Sequence, residues 1–314
     1  MTKLNELLNI KYPIILAPMF LVTNIEMVKA ALDNGISAAI PAMNFRNPKD
    51  ITKAIQEIKQ HSDKPFGINI IANRSNTKLN AQIEACLAEP PAFLITSLGN
   101  PKTIIEKAHA KGIMVFCDVT DLKYAQKVEQ SGADGLIAVN SEAGGHAGCT
   151  SRNELIKTLT KNCKIPVINA GGVASSSDVR DVLKLGAAGA SIGTLFIAAH
   201  ECKVSDEYKN ALINYGKDDI VLTRKLSGAP TTVINTDYVK SIGTKPNFLE
   251  YLINKNTGIK KFAKAILMRK GQNKLTNAAF TATYKTVWCA SPAIENITEL
   301  KSVKEIVEDL VGSL

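Results

Sequence analysis

The sequence predicts an α/β fold: a closed (β/α)8 TIM barrel with an appended helical lid subdomain. Three observations carry this expectation. Eight short, β-branched apolar runs recur at near-even spacing, helical patterns lie between them, and glycines stand just past the helix ends. The candidate strands occupy residues 14–18, 37–42, 66–71, 93–97, 114–119, 135–140, 166–170 and 190–195. Each is a nearly continuous apolar run, as parallel strands covered on both faces require. Helical spacing over 50–61, 101–111, 121–131 and 177–185 fills intervals between them. Asn24 stands as the N-cap of a helix running to Asn34-Gly35, and Asn100-Pro101 reads as an N-cap followed by proline at the first helical position. Lys111-Gly112, Ser131-Gly132 and Leu185-Gly186 place glycine where a helix exits. An open doubly wound sheet is the competing arrangement. Eight equal units without a dinucleotide fingerprint favour closure.

The barrel is expected to span 1–204. After that the rhythm stops, and 205–285 reads as a polar helical lid. It contains a loop at Ser227-Gly228-Ala229-Pro230 and a basic amphipathic helix over 258–271 that buries Ile259, Phe262, Ala263, Ile266 and Leu267. The segment 286–314 has helical spacing at Val303, Ile306, Val307 and Leu310 and is expected to pack back on the barrel.

Composition narrows the function classes. The 314 residues are 45% hydrophobic and 21% charged, which excludes a disordered, collagen-like or disulfide-scaffold chain. No apolar run reaches the roughly 18 residues of a membrane span, and the start lacks a signal-peptide layout, so the expected location is cytoplasmic. Six cysteines without a C-x-x-C pair read as reduced, mostly buried thiols, and four dispersed histidines do not suggest a metal site. The net charge of +9 sits in residues 240–285, where ten Lys/Arg face one acid, Glu250. Of the 38 basic and 29 acidic residues, 28 of each sign remain elsewhere. Without a nucleic-acid reader motif, this segment reads as a solvated helical surface, or as one that attracts an anionic substrate or an acidic carrier protein.

The chemistry is expected at the carboxyl ends of the strands. The seventh strand ends Asn169-Ala-Gly-Gly-Val173, followed by Ser175-Ser-Ser-Asp178 opening a helix, and the eighth carries Ser191-Ile-Gly-Thr-Leu195. Bare glycines let backbone N–H groups reach phosphate oxygens, and a helix N-terminus favours the charge. Gly171, Gly172, Gly193 and Thr194 are therefore candidate phosphate ligands. After the sixth strand comes Glu142-Ala-Gly-Gly-His-Ala-Gly148. Its glycines permit close approach to a planar ligand, and a neutral His146 can take a proton from a weakly acidic carbon or stabilise a bound anion. The competing role for His146 is to cap a loop. His61, His109 and His200 lie in helical surroundings and read as structural.

These residues resemble the nitronate monooxygenase family, also called 2-nitropropane dioxygenase-like proteins, which are FMN-dependent (β/α)8 barrels. The resemblance rests on Ala17-Pro18-Met19, Phe66-Gly-Ile-Asn69, Glu142-Ala-Gly-Gly-His-Ala-Gly148 and Ala170-Gly-Gly-Val173. It continues through Gly186-Ala-Ala-Gly189 leading to Gly193-Thr194-Leu-Phe196, so it spans about residues 12–202 in the family's order. The resemblance implies non-covalent FMN, its phosphate on Gly171, Gly172, Gly193 and Thr194. The ring would lie near Ala17, Pro18, Met19, Asn69, Ala143, Gly144 and Gly145, with Asn69 offering both donor and acceptor and His146 as catalytic base. It implies oxidation of an anionic nitronate, or a nitroalkane after proton removal, to a carbonyl compound with O2. No metal, nucleic acid or membrane is implied, and a homodimer is left open.

Two segments depart from the family pattern. Val139-Asn140 stands where many relatives have Gln-Gly, and Trp288-Cys-Ala-Ser-Pro-Ala293 replaces a Gly-Gln-x-x-Gly-like stretch. Tyr284, Lys285 and Trp288 either replace lost contacts or anchor the tail. The alternative activity is FMN-dependent enoyl-acyl-carrier-protein reductase, using NAD(P)H and, under that reading alone, an acyl carrier protein partner. A non-catalytic FMN-binding protein and a flavin-free sugar-phosphate barrel are the remaining classes.

Overall fold

A computed structural model describes residues 2–73, 76–224, 229–245 and 287–312. The barrel strands are β1 (Ile14–Leu16), β2 (Ser37–Pro41), β3 (Gly67–Ile71), β4 (Phe93–Ser97), β5 (Met114–Val119) and β6 (Gly135–Val139). After the short β7 (Gly145–His146) come β8 (Val167–Ala170) and β9 (Gly189–Ile192). All eight expected strands are present. They form one closed parallel ring in the order β1-β2-β3-β4-β5-β6-β8-β9, and β9 returns to β1 in the register Ile14 to Ala190 through Leu16 to Ile192.

Two layers of apolar side chains hold the ring. Outside it, the strands meet the helices through residues such as Ile14, Leu16, Ile68, Ile70, Val115 and Val167. Inside it, Ile15, Ala39, Phe93, Ile95, Phe116, Ile137 and Ile168 fill the barrel, with the Phe93 and Phe116 rings 5.0 Å apart. The lower end is closed by the helix Leu4–Leu8, whose Leu4 and Leu8 are buried in the same cluster. Gly67 and Gly189 are bare because Phe93 and Leu4 lie where their Cβ atoms would be.

Local signals behaved as their chemistry requires. The Asn24 side chain accepts from the Met27 N–H and caps the helix Ile25–Asp33. Gly112, Gly132 and Gly186 follow helices with positive φ. The Asn100-Pro101 start is shifted by one residue: Pro101 is the N-cap of Lys102–His109, and Asn100 Oδ1 accepts from the Lys102 N–H. The last barrel strand stops at Ile192 rather than 195, because the chain turns at Gly193 into the short helix Thr194–Ile197. The C-terminal helix Val303–Val311 buries Val303, Ile306, Val307 and Leu310 as expected, packing on Ile25–Asp33 and Ser176–Lys184.

The segment after 204 differs from its helical reading. It holds helices Asp206–Asn214 and Asp237–Ile242, but also an antiparallel pair, β10 (Ile220–Thr223) and β11 (Thr231–Ile234). Both strands are largely β-branched runs, which favour the pleated backbone. The helix expected over 258–271, and Tyr284 and Lys285, lie outside the described residues. Among the described residues no helix is long and apolar enough to cross a membrane, and no three His, Cys, Asp or Glu could hold a metal ion.

Candidate active site

Two residues beyond each filled layer, the same strand faces meet the open upper end of the barrel, because side chains repeat at every second position. Beyond Ile15, Ile95, Phe116, Ile137 and Ile168 stand Ala17, Ser97, Asp118, Val139 and Ala170, and Asn69 lies in register with Ile95. This rung is apolar on one side and polar on the other. The Ala17-Pro18-Met19 turn is held by Thr23, which is buried, donates to Ala17 O and accepts from the Met19 N–H.

The polar side is a chain of hydrogen bonds across three strands. Asn69 Nδ2 donates to Ser97 Oγ at 2.8 Å and to Ile95 O at 3.2 Å, and Ser97 Oγ donates to Asp118 Oδ2 at 2.5 Å. Both amide hydrogens of Asn69 are thereby used, so Asn69 retains only its carbonyl oxygen for a ligand. This corrects the expectation that it offers donor and acceptor alike. Burial pushes the Asp118 carboxyl up to about 6, against the lowering effect of the Ser97 bond.

The two glycine loops have separable causes. Gly171 and Gly172 carry φ of 111° and 73°, which residues with a Cβ rarely adopt. A Cβ on Gly171 would fall on Ala143 N and Asn140 Oδ1, and one on Gly172 would fall on the Glu142 carboxylate. The loop after β8 is therefore pressed against the loop after β6. Asn140, one of the two departures from the family pattern, joins them. It is fully buried, donates to Asn169 Oδ1 at 3.0 Å and Gly171 O at 3.1 Å, and accepts from the Glu142 N–H at 2.8 Å. Asn140→Ala is expected to cost about 2–4 kcal/mol in urea unfolding, because the partner groups remain buried without it. An unchanged midpoint would contradict that role.

The backbone N–H groups of Gly171, Gly172, Gly193 and Thr194 donate to no protein acceptor among the described residues. They lie at the carboxyl ends of neighbouring strands and form a set of donors suited to an anion. The N-terminus of Ser176–Lys184, expected to assist, is capped locally at Asp178. Ser175 Oγ accepts from the Asp178 N–H, and Asp178 accepts from Ala174 N–H, Ser175 Oγ–H and Arg152. Thr194 Oγ1 accepts from the Ser291 N–H at 3.1 Å, leaving its own hydrogen to give. Ser291 thus brings the altered C-terminal stretch onto the phosphate-loop side, while Trp288 stacks on Tyr208 at 5.6 Å.

His146 is placed by the hairpin. β7 pairs with β11, Thr231 opposite His146 and Thr232 opposite Gly145. Thr232 Oγ1 donates to Ala143 O at 2.6 Å, and the Ala147 N–H donates to Pro230 O. His146 is an exposed residue overall, yet surrounding protein mass lowers its imidazole pKa by disfavouring the charged form. By contrast His61 bonds Asp33 and His109 bonds Asp134, and both of these acids lie on the amino-terminal side of the barrel units.

Comparison with known proteins decides the family. The family model described as nitronate monooxygenase matches residues 75–313. The chain belongs to the nitronate monooxygenase family. A nitronate monooxygenase from Paraburkholderia phytofirmans is 29% identical over 71% of this chain and 73% of its own. A Rhodococcus jostii protein named (3aS,4S,5R,7aS)-5-hydroxy-7a-methyl-1-oxo-octahydro-1H-indene-4-carboxyl-CoA dehydrogenase is 31% identical over 77% of this chain and 67% of its own. Among solved structures, FabK from Thermotoga maritima superposes with a TM-score of 0.85 and 27% identity, covering 99% of this chain and 95% of its own. Nitroalkane oxidase from Streptomyces ansochromogenes, at 19% identity and a TM-score of 0.79 over 97% of this chain and 96% of its own, shares the fold.

As a member of the nitronate monooxygenase family the protein is an oxidoreductase on a TIM barrel. Sequence reading missed Ser97, Asp118, Thr232 and Ser291. An acid at the end of a barrel strand was the available signal for Asp118, and position two beyond an inward Phe would have marked it. The other three act through contacts with segments remote in sequence, which no local pattern discloses.

Proposed function

We propose that this protein oxidises alkyl nitronates, and nitroalkanes after proton removal, to carbonyl compounds with O2, using FMN. The observation that carries the reading is a strand-paired loop that holds His146, its imidazole biased toward the neutral form, and that brings Gly144 against Thr194, where backbone donors at the ends of β8 and β9 have no acceptor among the described residues. The donors of Gly171, Gly172, Gly193 and Thr194 fit a phosphate. Ala17, Pro18, Met19, Ala143, Gly144 and Gly145 would border the ring, and Asn69 O would accept from a ring N–H. FMN, when bound, supplies the redox chemistry between the substrate carbon and oxygen. The apolar rung excludes water from that face, and His146 takes the α-proton of a neutral nitroalkane or faces a nitronate already formed.

FabK's superposition over nearly the whole chain supports a second reading, reduction of an enoyl thioester with NAD(P)H. Anaerobic stopped-flow mixing separates the two. The expected result is bleaching of flavin absorbance by a propyl nitronate and none by NADH within the same interval. Rapid bleaching by NADH alone would replace the proposal with the reductase. A colourless protein that takes up no FMN would remove both.

A further inference from the structure

Asp118 is a carboxylate inside the barrel mouth that the reaction above does not use. Its bonded partner is Ser97, one strand away, and Ser97 in turn is bonded to Asn69 on the next strand. The three positions lie 21 and 28 residues apart in sequence and meet because β3, β4 and β5 are adjacent in the ring. Among the described residues, the titratable groups near Asp118 are the Tyr124 hydroxyl, which donates to Gly99 O, and the Cys117 thiol, which is bonded to Thr96 on the outer face. Among the described residues, burial and the Ser97 bond set its state, and no Lys, Arg or His does.

The hydrogen-bond directions follow from the end of this chain. An ionised carboxylate only accepts, so the Ser97 hydroxyl must point to it. Ser97 Oγ then has only lone pairs for Asn69, which must turn its NH2 group toward Ser97 and Ile95. The Asn69 carbonyl oxygen is left with no protein partner among the described residues. We infer that Asp118 is a positioning residue, which acts through Ser97 to fix the Asn69 carboxamide as a hydrogen-bond acceptor in the site and so selects a ligand edge that bears an N–H. Protonated Asp118 donates to Ser97 instead, and the bond that orients Asn69 weakens. With FMN as the ligand, the inference rests on the proposed function; the orientation itself does not.

Two measurements test it separately. The first follows the Asn69 side-chain NH2 resonances in 15N-asparagine-labelled, flavin-free full-length protein between pH 4.5 and 8, assigned with Asn69→Ser. A single inflection near pH 6 is expected. It should vanish in Asp118→Asn, and in Ser97→Ala, which cuts the relay while leaving the carboxylate. Ser97→Thr, which keeps a hydroxyl, should restore it. An amide that does not titrate in the wild type, or that titrates unchanged in Asp118→Asn, overturns the inference.

The second measurement is FMN affinity of the same proteins by quenching of flavin fluorescence. Wild-type affinity should fall about tenfold as pH drops through 6, about the worth of one oriented hydrogen bond, and Ser97→Ala should lack that dependence. Flavin binding without a titrating amide removes the relay and leaves the flavin reading intact. A titrating amide without flavin binding does the reverse.

Discussion

His146→Ala is expected to lower kcat/KM for a neutral nitroalkane by roughly 10²–10⁴-fold, the usual contribution of a positioned general base. Flavin absorbance should be retained, because the proposed phosphate donors lie on other loops. A preformed nitronate should lose less, since no proton has to be removed from it. The pH profile supplies an independent check. Desolvation lowers the imidazole pKa, so the neutral base persists below the ordinary 6.5 and is lost only when pH falls through the lowered value. The acid limb of kcat/KM for nitroalkanes should therefore lie below pH 6.5 and be absent from the variant. A limb at or above 6.5 that survives the substitution would place the base elsewhere. The expectation draws on the loop as much as on the residue. Thr231 and Thr232 hold β7 in a strand pairing, so the imidazole starts from a fixed backbone.

Gly171→Ala should be the most damaging single methyl group at the site. The backbone there has φ 111°, and the new Cβ would meet the Ala143 N and the Asn140 side chain. Backbone strain of about 1–2 kcal/mol and overpacking of about 1–3 kcal/mol both apply, so unfolding by urea should register a loss of roughly 2–5 kcal/mol. FMN uptake should fall at least tenfold as the N–H of Gly171 is displaced. Gly193→Ala is the control. Its φ is ordinary, and its Cβ would touch the flexible Met19 side chain at 3.1 Å. Stability should change little there, while any loss of FMN would report the added methyl at the mouth. Equal stability of Gly171→Ala and the wild type would sink the account of the two docked loops.

The placement of several candidate residues was legible in the sequence. Gly171, Gly172, Gly193, Thr194 and His146 all lie at the carboxyl ends of strands that their own local pattern had marked, because glycine demand and strand ends are properties of short stretches. The altered Asn140 was legible only as a departure. Its meaning came from burial and from three bonds to β8 and its own loop. The hairpin of β10 and β11 lies in a segment read as polar and helical, and its two β-branched runs were missed. Its pairing with His146 joins positions 85 residues apart.

The chain alone determined the barrel, the order of its strands and the loops that carry glycine and histidine, since periodicity and caps act over a few residues. Only the closed ring decided that Asn69 donates to Ser97 and Ile95, that Ser97 in turn donates to Asp118, and that Ser291 reaches Thr194. Those outcomes depend on which strands become neighbours and which polar groups lose water together. Burial then requires each donor to find an acceptor wherever the fold has put one.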